Sequence, residues 1–544
     1  MRRVGLVLVL VATLFITPAY ADSVFVDEQF GINTLVTTQQ VDTQSSIGVL
    51  FEENVDTLRM PSLLHGFNFK AGGQPDAIAF CKSLEDPACA KAEYMRYYAL
   101  YQPCESESDV DCIESVYAIP SNSSSKVEGK ISETIPSVVS KPYKEDLKQG
   151  LPQGGNSSVW SLPNVTHKGG GDGYAVIVSR VGALKRAASG KFAPTDFDNQ
   201  GDFRAAIYPV NIVKDSGYSA NEPLINEQPE GHKGLEIGHP STLGFESCAI
   251  VGDGSCALRQ GFPEDVEFGL VIRFAKVVNG WMHGRIDTPQ IDYEKTEYGT
   301  RVEMKGLATK VPVLAGWVAP SRFKSSEVKE YPWLDKEYAG RSIYPGSSGE
   351  DSMRQLTMWS RVLSDKAAAN PSQWTFYNLS KFDLQGSDDC IANSKTLAGF
   401  VTTNSTTYAA NPPTFNGKTQ TLDYKVASAH YLADGTVFTG KYDLYIASKV
   451  ARCIYGFSNA PISASVSIVS DKGESKVATT TMVEKSGWIH LAARGFTFSS
   501  PTLKVKLTQK NARSAAKTIT CVKGSASKRV SGANAKCPPG FSKK

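Results

Sequence analysis

One short stretch of the sequence combines side chains that could do acid–base chemistry. His283, Arg285 and Asp287 supply a base, a cation and a carboxylate at alternate positions, close to Trp281. Alternate residues of a β-strand share one face, so these three would form a single row. A solvent-facing row of paired charges has the same pattern, and no nucleophile accompanies it. We therefore expect an ion-paired strand face and assign no catalytic residue.

Motifs of the common enzyme classes do not strengthen the case for catalysis. The segment Gly346-Ser347-Ser348-Gly349 lacks the spacing of the Gly-x-Ser-x-Gly nucleophile turn. The sequence contains no His-Glu-x-x-His, no phosphate-binding loop and no dinucleotide-binding glycine motif. Pairs of acids such as Asp388-Asp389 and Glu264-Asp265 are too numerous to single out a glycosidase pair. We predict no cofactor.

Metal ligands are weakly represented. From Asp196 to Asp202, oxygen-bearing side chains alternate around Gly201 as in a calcium loop, but Ile207 stands where the closing Glu belongs. We therefore expect an ordinary Asp/Asn/Gly turn over this segment. None of the seven histidines has ligand spacing from a cysteine pair, which weighs against structural zinc. We assign no metal site and keep calcium at 196–202 as the alternative.

The ten cysteines have a regular spacing. Their number is even, and three successive pairs are each separated by seven residues, which are loops short enough to close locally. We predict five sequential disulfides: Cys81–Cys89, Cys104–Cys112, Cys248–Cys256, Cys390–Cys453 and Cys521–Cys537. Pairing of Cys81 with Cys112 and of Cys89 with Cys104 is the rival for the first four.

Charge is distributed very unevenly along the chain. No Asp or Glu follows Glu484, whereas residues 485–544 carry thirteen Lys and Arg. Two further basic residues lie among the first 21, which leaves 43 basic against 55 acidic residues, a net charge of −12, in 22–484. Such asymmetry is typical of electrostatic attachment to an anionic polymer.

The basic end predicts both a partner and the residues that bind it. An anionic polymer of the cell wall or cell surface is the expected partner, because Phe541 is the only aromatic residue from Asn511 onward and nucleic-acid binding surfaces interleave aromatics with cations. A solvated tail, or one docked on the acidic part of the same chain, is the alternative. The predicted polymer-binding residues are Lys517, Lys523, Lys528, Arg529, Lys536, Lys543 and Lys544.

The first 21 residues have the pattern of a secretory signal peptide. Arg2 and Arg3 precede an apolar run over 4–16, and Ala19 and Ala21 are the small residues that signal peptidase accepts. The run is shorter than the roughly 20 residues that span a bilayer, and no later segment reaches that length. We expect a secreted or cell-surface protein without a transmembrane helix after cleavage.

Length and composition allow several domains. The 544 residues, 41% apolar and 21% charged, have enough apolar content for sizeable cores and exclude disordered and collagen-like classes. We predict a mainly β protein with two β-sandwich-like domains, a smaller α+β N-terminal region and a helical connector. The predicted boundaries are 1–21 signal peptide, 22–120 N-terminal region, 121–157 linker or long loop, 158–320 first sandwich, 321–372 helical connector, 373–510 second sandwich and 511–544 basic tail.

Particular elements underlie this division. Apolar residues alternate with others over 266–274, which predicts a strand with one buried face. A helix capped by Ser348 is predicted to begin there and to end before Pro371. Tyrosines at three- and four-residue spacing predict a second helix over 91–102. The lysines of the strand 503–507 are expected to protect a sheet edge.

Three C-terminal segments resemble exported actinobacterial proteins that have no assigned activity. The segments are CIYGFSNAPI at 453–462, GFTFSSP at 495–501, and the ending from Cys521 to Phe541 with its Cys-Pro-Pro-Gly. The resemblance covers roughly the last 140 residues and implies export and an envelope location. It supplies no substrate or site residue.

These observations favour a binding or structural role over catalysis. The expected function is that of an exported protein attached to an anionic surface polymer through its C-terminus. A secreted carbohydrate-active hydrolase is the alternative, which rests on the 10% aromatic content and the many unassigned acids.

Overall fold

The structure is a computed structural model. It describes residues 43–51, 61–123, 125–135, 140–195, 203–214, 223–228, 230–236, 248–252, 254–367, 372–381, 383–469, 475–477, 479–498, 502–509, 517–524, 526–532 and 536–544. The predicted signal peptide and the predicted calcium loop or turn at 196–202 lie outside these residues.

Strands dominate the described residues, and the prediction of a mainly β protein is confirmed. In the first half they are β1 Ile47–Phe51, β2 Leu63–Phe69, β3 Pro75–Phe80, β4 Tyr94–Leu100, β5 Cys112–Pro120, β6 Val127–Glu128, β7 Lys130–Ile135, β8 Ser157–Ser161, β9 Gly173–Arg186, β10 Phe192–Thr195, β11 Phe203–Lys214, β12 Leu224–Glu227, β13 Lys233–Glu236, β14 Cys248–Gly252, β15 Ser255–Arg259, β16 Val266–Phe274, β17 Gly280–Arg285, β18 Asp287–Lys295, β19 Thr300–Leu307, β20 Thr309–Lys310 and β21 Leu314–Val318.

The remaining strands follow a helical segment. They are β22 Ser342–Ile343, β23 Lys366–Ala367, β24 Ser372–Gln373, β25 Thr375–Asn378, β26 Leu397–Thr403, β27 Thr407–Tyr408, β28 Thr414–Asn416, β29 Thr421–Ala427, β30 Tyr431–Leu432, β31 Thr439–Ala447, β32 Ile462–Val469, β33 Ser475–Val477, β34 Thr479–Lys485, β35 Trp488–Thr497, β36 Thr502–Gln509, β37 Lys517–Lys523, β38 Ala526–Gly532 and β39 Ser542–Lys543. The helices within the described ranges are α1 Ser325–Glu330, α2 Glu350–Val362, α3 Asp389–Ala392 and α4 Ser448–Tyr455. Short 3-10 turns cover Thr43–Ser45, Pro87–Cys89, Pro320–Arg322, Pro332–Leu334 and Lys336–Tyr338.

One large sheet connects strands from both halves of the chain. Its main path runs β3-β2-β4-β9-β11-β25-β17-β26-β31-β35-β34. Strand β25, which begins at Thr375, lies between β11 and β17, and β17 pairs in parallel with β26. The two ranges predicted as separate sandwiches therefore contribute neighbouring strands to the same sheet. The domain boundaries themselves stay a prediction.

Two cores lie on opposite faces of this sheet. On one side the sheet packs against the five strands β18-β19-β16-β5-β6, and on the other against β27-β29-β36-β32-β33. Consecutive residues of β17 show the division, because Met282 belongs to the first core and Trp281 to the second. Successive side chains of a strand point to opposite faces, so β17 contributes to both cores. Burying each such side chain stabilises the fold by about 1.5–3 kcal/mol.

Helix α2 confirms the predicted helix of the connector. Leu356, Trp359 and Val362 recur at helical spacing and pack against β1 and β21. Glu350 and Asp351 occupy the first turn, where the helix dipole favours negative charge. The capping residue differs from the prediction: Gly349, at φ 103°, is the N-cap, and the Ser348 carbonyl accepts a hydrogen bond from the Ser352 hydroxyl.

The predicted helix over 91–102 is wrong, because residues 94–100 form β4 between β2 and β9. Tyr97 packs into the core that contains Leu64, whereas the next residue, Tyr98, packs with Leu63 on the other face. Adjacent residues on opposite faces are the signature of a strand. Tyrosine is a favourable strand residue, so the spacing of the four tyrosines fits a strand as well as a helix. The strand forms because β2 and β9 pair with this segment on its two sides.

All five predicted disulfides are confirmed. Cys81–Cys89, Cys104–Cys112, Cys248–Cys256, Cys390–Cys453 and Cys521–Cys537 are bonded. The rival pairing of the first four cysteines is therefore excluded. The long bridge joins the short helix α3 to α4, and the last bridge closes the C-terminal strands.

Strand β36 corrects a second expectation. Its lysines were expected to protect a sheet edge, but β36 pairs with β29 on one side and β32 on the other. Lys504 instead donates a hydrogen bond to Asp423, which is directly opposite on β29, at 2.6 Å. The lysine therefore neutralises a neighbour inside the sheet.

Candidate polymer-binding site

The basic C-terminal end folds as a small module. Strands β38, β37 and β39 form one antiparallel sheet in that order, which we call the basic module (residues 517–544). Cys521 is fully buried at the centre and bonded to Cys537. So small a sheet has little apolar core, so the disulfide is its main covalent constraint.

Strand register places three lysines on one face of the basic module. Lys528 on β38 and Lys543 on β39 both lie directly opposite Cys521, and Lys523 follows Cys521 by two residues on β37. Opposite and alternate residues share a face, so these lysines surround the buried cysteine. The Cα atoms of Lys528 and Lys543 are separated by two strand spacings, about 10 Å. All three side chains are exposed.

The other predicted polymer-binding residues occupy different positions in the basic module. Arg529 lies opposite Thr520, on the second face of the sheet. Lys536 precedes Cys537, and the backbone amide of Lys544 donates to the Thr520 carbonyl at 2.9 Å. These three side chains are exposed. Lys517 is the first residue of β37, and its side chain lies outside the described part of the structure.

These cations have no acidic partner in the described structure. The basic module contains no Asp or Glu, and no described carboxylate forms an ion pair with its described Lys and Arg side chains. The described basic side chains of the module are exposed, namely those of Lys523, Lys528, Arg529, Lys536, Lys543 and Lys544.

The row predicted from His283, Arg285 and Asp287 is not solvent-facing, and that expectation is wrong. His283 and Arg285 are each 1% exposed. Three tyrosine rings, those of Tyr377, Tyr408 and Tyr424, surround the His283 ring in edge-on contacts. The ring centres are 5.4–5.9 Å apart. Burial and the Arg285 charge lower the pKa of His283 to about 3, so the ring is neutral.

Arg285 and Asp287 have separate partners. The Arg285 guanidinium donates to the carbonyls of Thr403 and Ser405 at 2.9 and 2.6 Å, so its charge is satisfied by backbone dipoles. Asp287 instead accepts a hydrogen bond from Lys441. The three residues do not converge on a common reacting position, and the geometry supports packing rather than catalysis.

A buried ion-pair network near Asp287 was not predicted from the sequence. Asp443 accepts two hydrogen bonds from the Arg494 guanidinium at 2.8 and 2.7 Å, and its side chain is 2% exposed. Asp443 is also 2.9 Å from His490 Nε2, and the His490 ring stacks on Tyr445. Sequence separations of about fifty residues between the partners leave no local signal for such a network.

Two further histidines, His430 and His490, each contact a carboxylate. His490 contacts Asp443 as described, and His430 Nδ1 lies 2.5 Å from Asp365 Oδ2. This hydrogen bond raises the pKa of His430 above its usual value.

A groove of about 870 Å³ beside the start of α2 brings two carboxylates close to lysines. Glu350 is 2.9 Å from Lys425, and Asp423 is 2.6 Å from Lys504. The hydrogen bond and charge of Lys425 lower the pKa of Glu350. A glycosidase general acid needs a raised pKa, so Glu350 does not supply one.

The pKa is also lowered in the other described carboxyl groups whose pKa departs clearly from its usual value. Wherever the pKa of a described Asp or Glu departs clearly from its usual value, it is lowered by lysine, arginine or hydrogen-bond donors. Such groups remain ionised at neutral pH. They suit ion pairing and do not suit proton donation.

Comparison of the chain with known protein families, curated proteins and solved structures gives no match. The longest described helix, α2, has 13 residues, and among the described residues no helix has the length and hydropathy needed to cross a bilayer. Arguments about function therefore rest on the residues and their geometry.

Proposed function

We propose that the protein is an exported, non-enzymatic binding protein, attached to an anionic polymer of the cell envelope through its basic module. One observation carries the proposal: Lys523, Lys528 and Lys543 share an exposed face and have no described acidic partner. A cationic face without internal neutralisation attracts polyanions.

The form of the module suits a repeating, flexible anion. Lysine is a compact point charge on a flexible stem, and it adapts to phosphate or carboxylate groups without fixed geometry. Near an anionic surface each such residue contributes about 1 kcal/mol. Three lysines on one face would therefore change affinity by about two orders of magnitude.

Two further features support export. The sequence begins with a signal-peptide pattern over 1–21, and five disulfides are bonded in the structure. Disulfides persist in oxidising compartments such as the cell exterior. An envelope polymer is the polyanion that an exported protein meets first.

The test is co-sedimentation of residues 22–544 with purified cell-wall material at low and high salt. The test variant replaces Lys523, Lys528 and Lys543 with Gln. The matched control replaces Lys295, Lys329 and Lys395 with Gln, because these are exposed body lysines and the change in net charge is the same. A third protein ends at Asn511.

We expect the control to bind like the unchanged protein, and binding to weaken steeply with salt. The triple variant should bind about 100-fold more weakly, and the truncated protein should not sediment. Equal retention of all four proteins would disprove attachment through the basic module and would direct attention to the body.

The secreted hydrolase is the alternative, and the described carboxyl groups with displaced pKa values do not favour it. Incubation of the purified protein with a panel of glycans and cell-wall fragments tests it directly. Release of a product from any of them would overturn the non-enzymatic part of the proposal.

A further inference from the structure

A cavity of about 600 Å³ lies far along the chain from the basic module, against the strands β2, β3 and β4. The hairpin of β12 and β13 forms its second wall. A volume of this size is typical of small-molecule sites, which combine apolar walls with a few convergent polar groups.

Specific contacts hold the hairpin over the sheet. Leu235 packs against Leu63 and Tyr98 at one end. At the other end the backbone amide of Lys233 donates to Asp76 at 2.8 Å, and the Lys70 ammonium donates to the Gly231 carbonyl. The cavity is therefore built by both walls.

The floor of the cavity pairs a guanidinium with a neutral imidazole. His65 on β2 lies directly opposite Arg96 on β4, and Phe67 continues the same face. The Arg96 guanidinium lies over the Tyr98 ring, 5.1 Å from its centre, in a cation–π contact. Arg96 is half-buried, so its charge is positioned within the wall.

His65 is the second unusual feature. It is 5% exposed, and its Nδ1 has no hydrogen-bond partner in the described structure. Burial and the charge of Arg96 lower its pKa to about 3, so the ring stays uncharged. A buried imidazole without a complete set of partners beside a cavity is a common feature of ligand sites.

We propose that this cavity binds a small organic carboxylate, with the carboxylate on Arg96 beside His65 and an apolar or ring-shaped body against Pro75 and Leu235. A guanidinium forms paired hydrogen bonds with one carboxylate. Phe67, Pro75, Ala77 and Leu235 provide the apolar walls that such a body would contact.

Other ligand classes fit less well. A cation would meet Arg96 at the floor, and the one acidic residue that lines the described cavity, Glu230, is exposed at the rim. Inorganic phosphate would leave most of the volume and the apolar walls without contacts.

The experiment compares matched ligand pairs by ligand-observed NMR with the full mature chain. Benzoate, phenylacetate and glucuronate are each tested beside the corresponding neutral primary amide. We expect saturation transfer to at least one carboxylate and at least about tenfold weaker binding of its amide, the loss expected for a charge-assisted hydrogen bond. No transfer to any carboxylate, or equal binding of acid and amide, would overturn the proposal.

Variants locate the binding. Arg96→Gln should weaken carboxylate binding about tenfold or more, Arg96→Lys less, and His65→Phe should weaken it while keeping the ring shape. Arg204→Gln is the control, because Arg204 is another half-buried arginine stacked on a tyrosine, Tyr377, outside the cavity. Thermal unfolding confirms that each variant is folded. Unchanged binding by folded Arg96→Gln would contradict the assignment, and retention on cell-wall material tests the basic module separately.

Discussion

Two parts of the same acid-free stretch of sequence differ in whether they contain cations that are ion-paired with acids. Within 485–509, Arg494 and Lys504 form ion pairs with Asp443 and Asp423, which come from earlier strands. Within 517–544, the described Lys and Arg side chains are exposed and form no ion pair with a described carboxylate.

The difference shows that strand pairing decides whether the cations of a basic segment meet acidic partners. β35 and β36 are interior partners of strands that carry acids, and Arg494 and Lys504 on them neutralise a buried and a half-buried carboxylate. The strands of the basic module pair only with one another among the described strands. Of the cations in 485–509, Arg494 and Lys504 are therefore paired with acids, whereas Lys485 and Lys506 are exposed like the described cations of the basic module.

The largest expected effect comes from breaking the buried pair. Arg494→Ala would leave Asp443, which is 2% exposed, without its arginine partner. Removal of one partner from a buried pair costs about 3–5 kcal/mol, and the lower end applies here because His490 still contacts Asp443. Urea unfolding measures the loss.

The control is Arg529→Ala in the exposed basic module, which should change stability by less than about 0.5 kcal/mol. Similar losses of stability in both variants would contradict the difference between the buried pair and the exposed module.

The second prediction concerns pH and the buried His283. An unfolded histidine binds a proton near pH 6.5, whereas the folded His283 does so only near its pKa of about 3. Its stabilising contribution is therefore complete above pH 6.5 and is lost as pH falls between these values. By pH 5 the loss is about 2 kcal/mol.

Urea unfolding at pH 7 and pH 5 tests this contribution. In His283→Leu the difference in stability between the two pH values should be smaller by about 2 kcal/mol than in the unchanged protein. The basic module contains no histidine or acid, so its retention on a sulfated polymer should not change over the same range. An unaltered pH difference in His283→Leu would show that the ring gains a partner when it is protonated.

An intermediate case lies between the two regions. Lys504 and Asp423 pair directly across strands, but their side chains are 24% and 19% exposed. A partly exposed pair contributes about 0.5–1 kcal/mol, so Lys504→Gln should destabilise the protein by that amount in urea. A loss as large as that of Arg494→Ala would place this pair among the buried ones.

Much of the fold was predictable from local patterns. The strand over 266–274 and the helix near 350–362 follow from their apolar periodicity, and the five disulfides follow from the spacing of the cysteines. Residues 91–102 show the limit, since tyrosines at three- and four-residue spacing also fit a strand when neighbours are present on both sides. Long-range pairing decided that element.

The candidate sites were predictable to different degrees. The basic module was visible as a run of cations without acids, because charge is a property of the sequence itself. The burial of His283 was not, since a row of polar residues at alternate positions has the same pattern on an outer and an inner strand face. The His65 cavity depends on β2, β4 and a hairpin more than a hundred residues away, and no local signal connects them.

The smallest expected effect on stability belongs to Lys528. It is exposed, lies opposite Cys521 and has no described ion pair, so Lys528→Gln should change the free energy of unfolding by less than about 0.5 kcal/mol. The same substitution should weaken cell-wall binding by about 1 kcal/mol, which is several-fold in co-sedimentation at low salt. Arg494→Ala should show the reverse pattern, with a large loss of stability and unchanged binding while the protein is folded. A loss of both stability and binding in Lys528→Gln would contradict the prediction. It would show that Lys528 stabilises the fold of the basic module, so that the weaker binding need not come from a lost contact with the polymer.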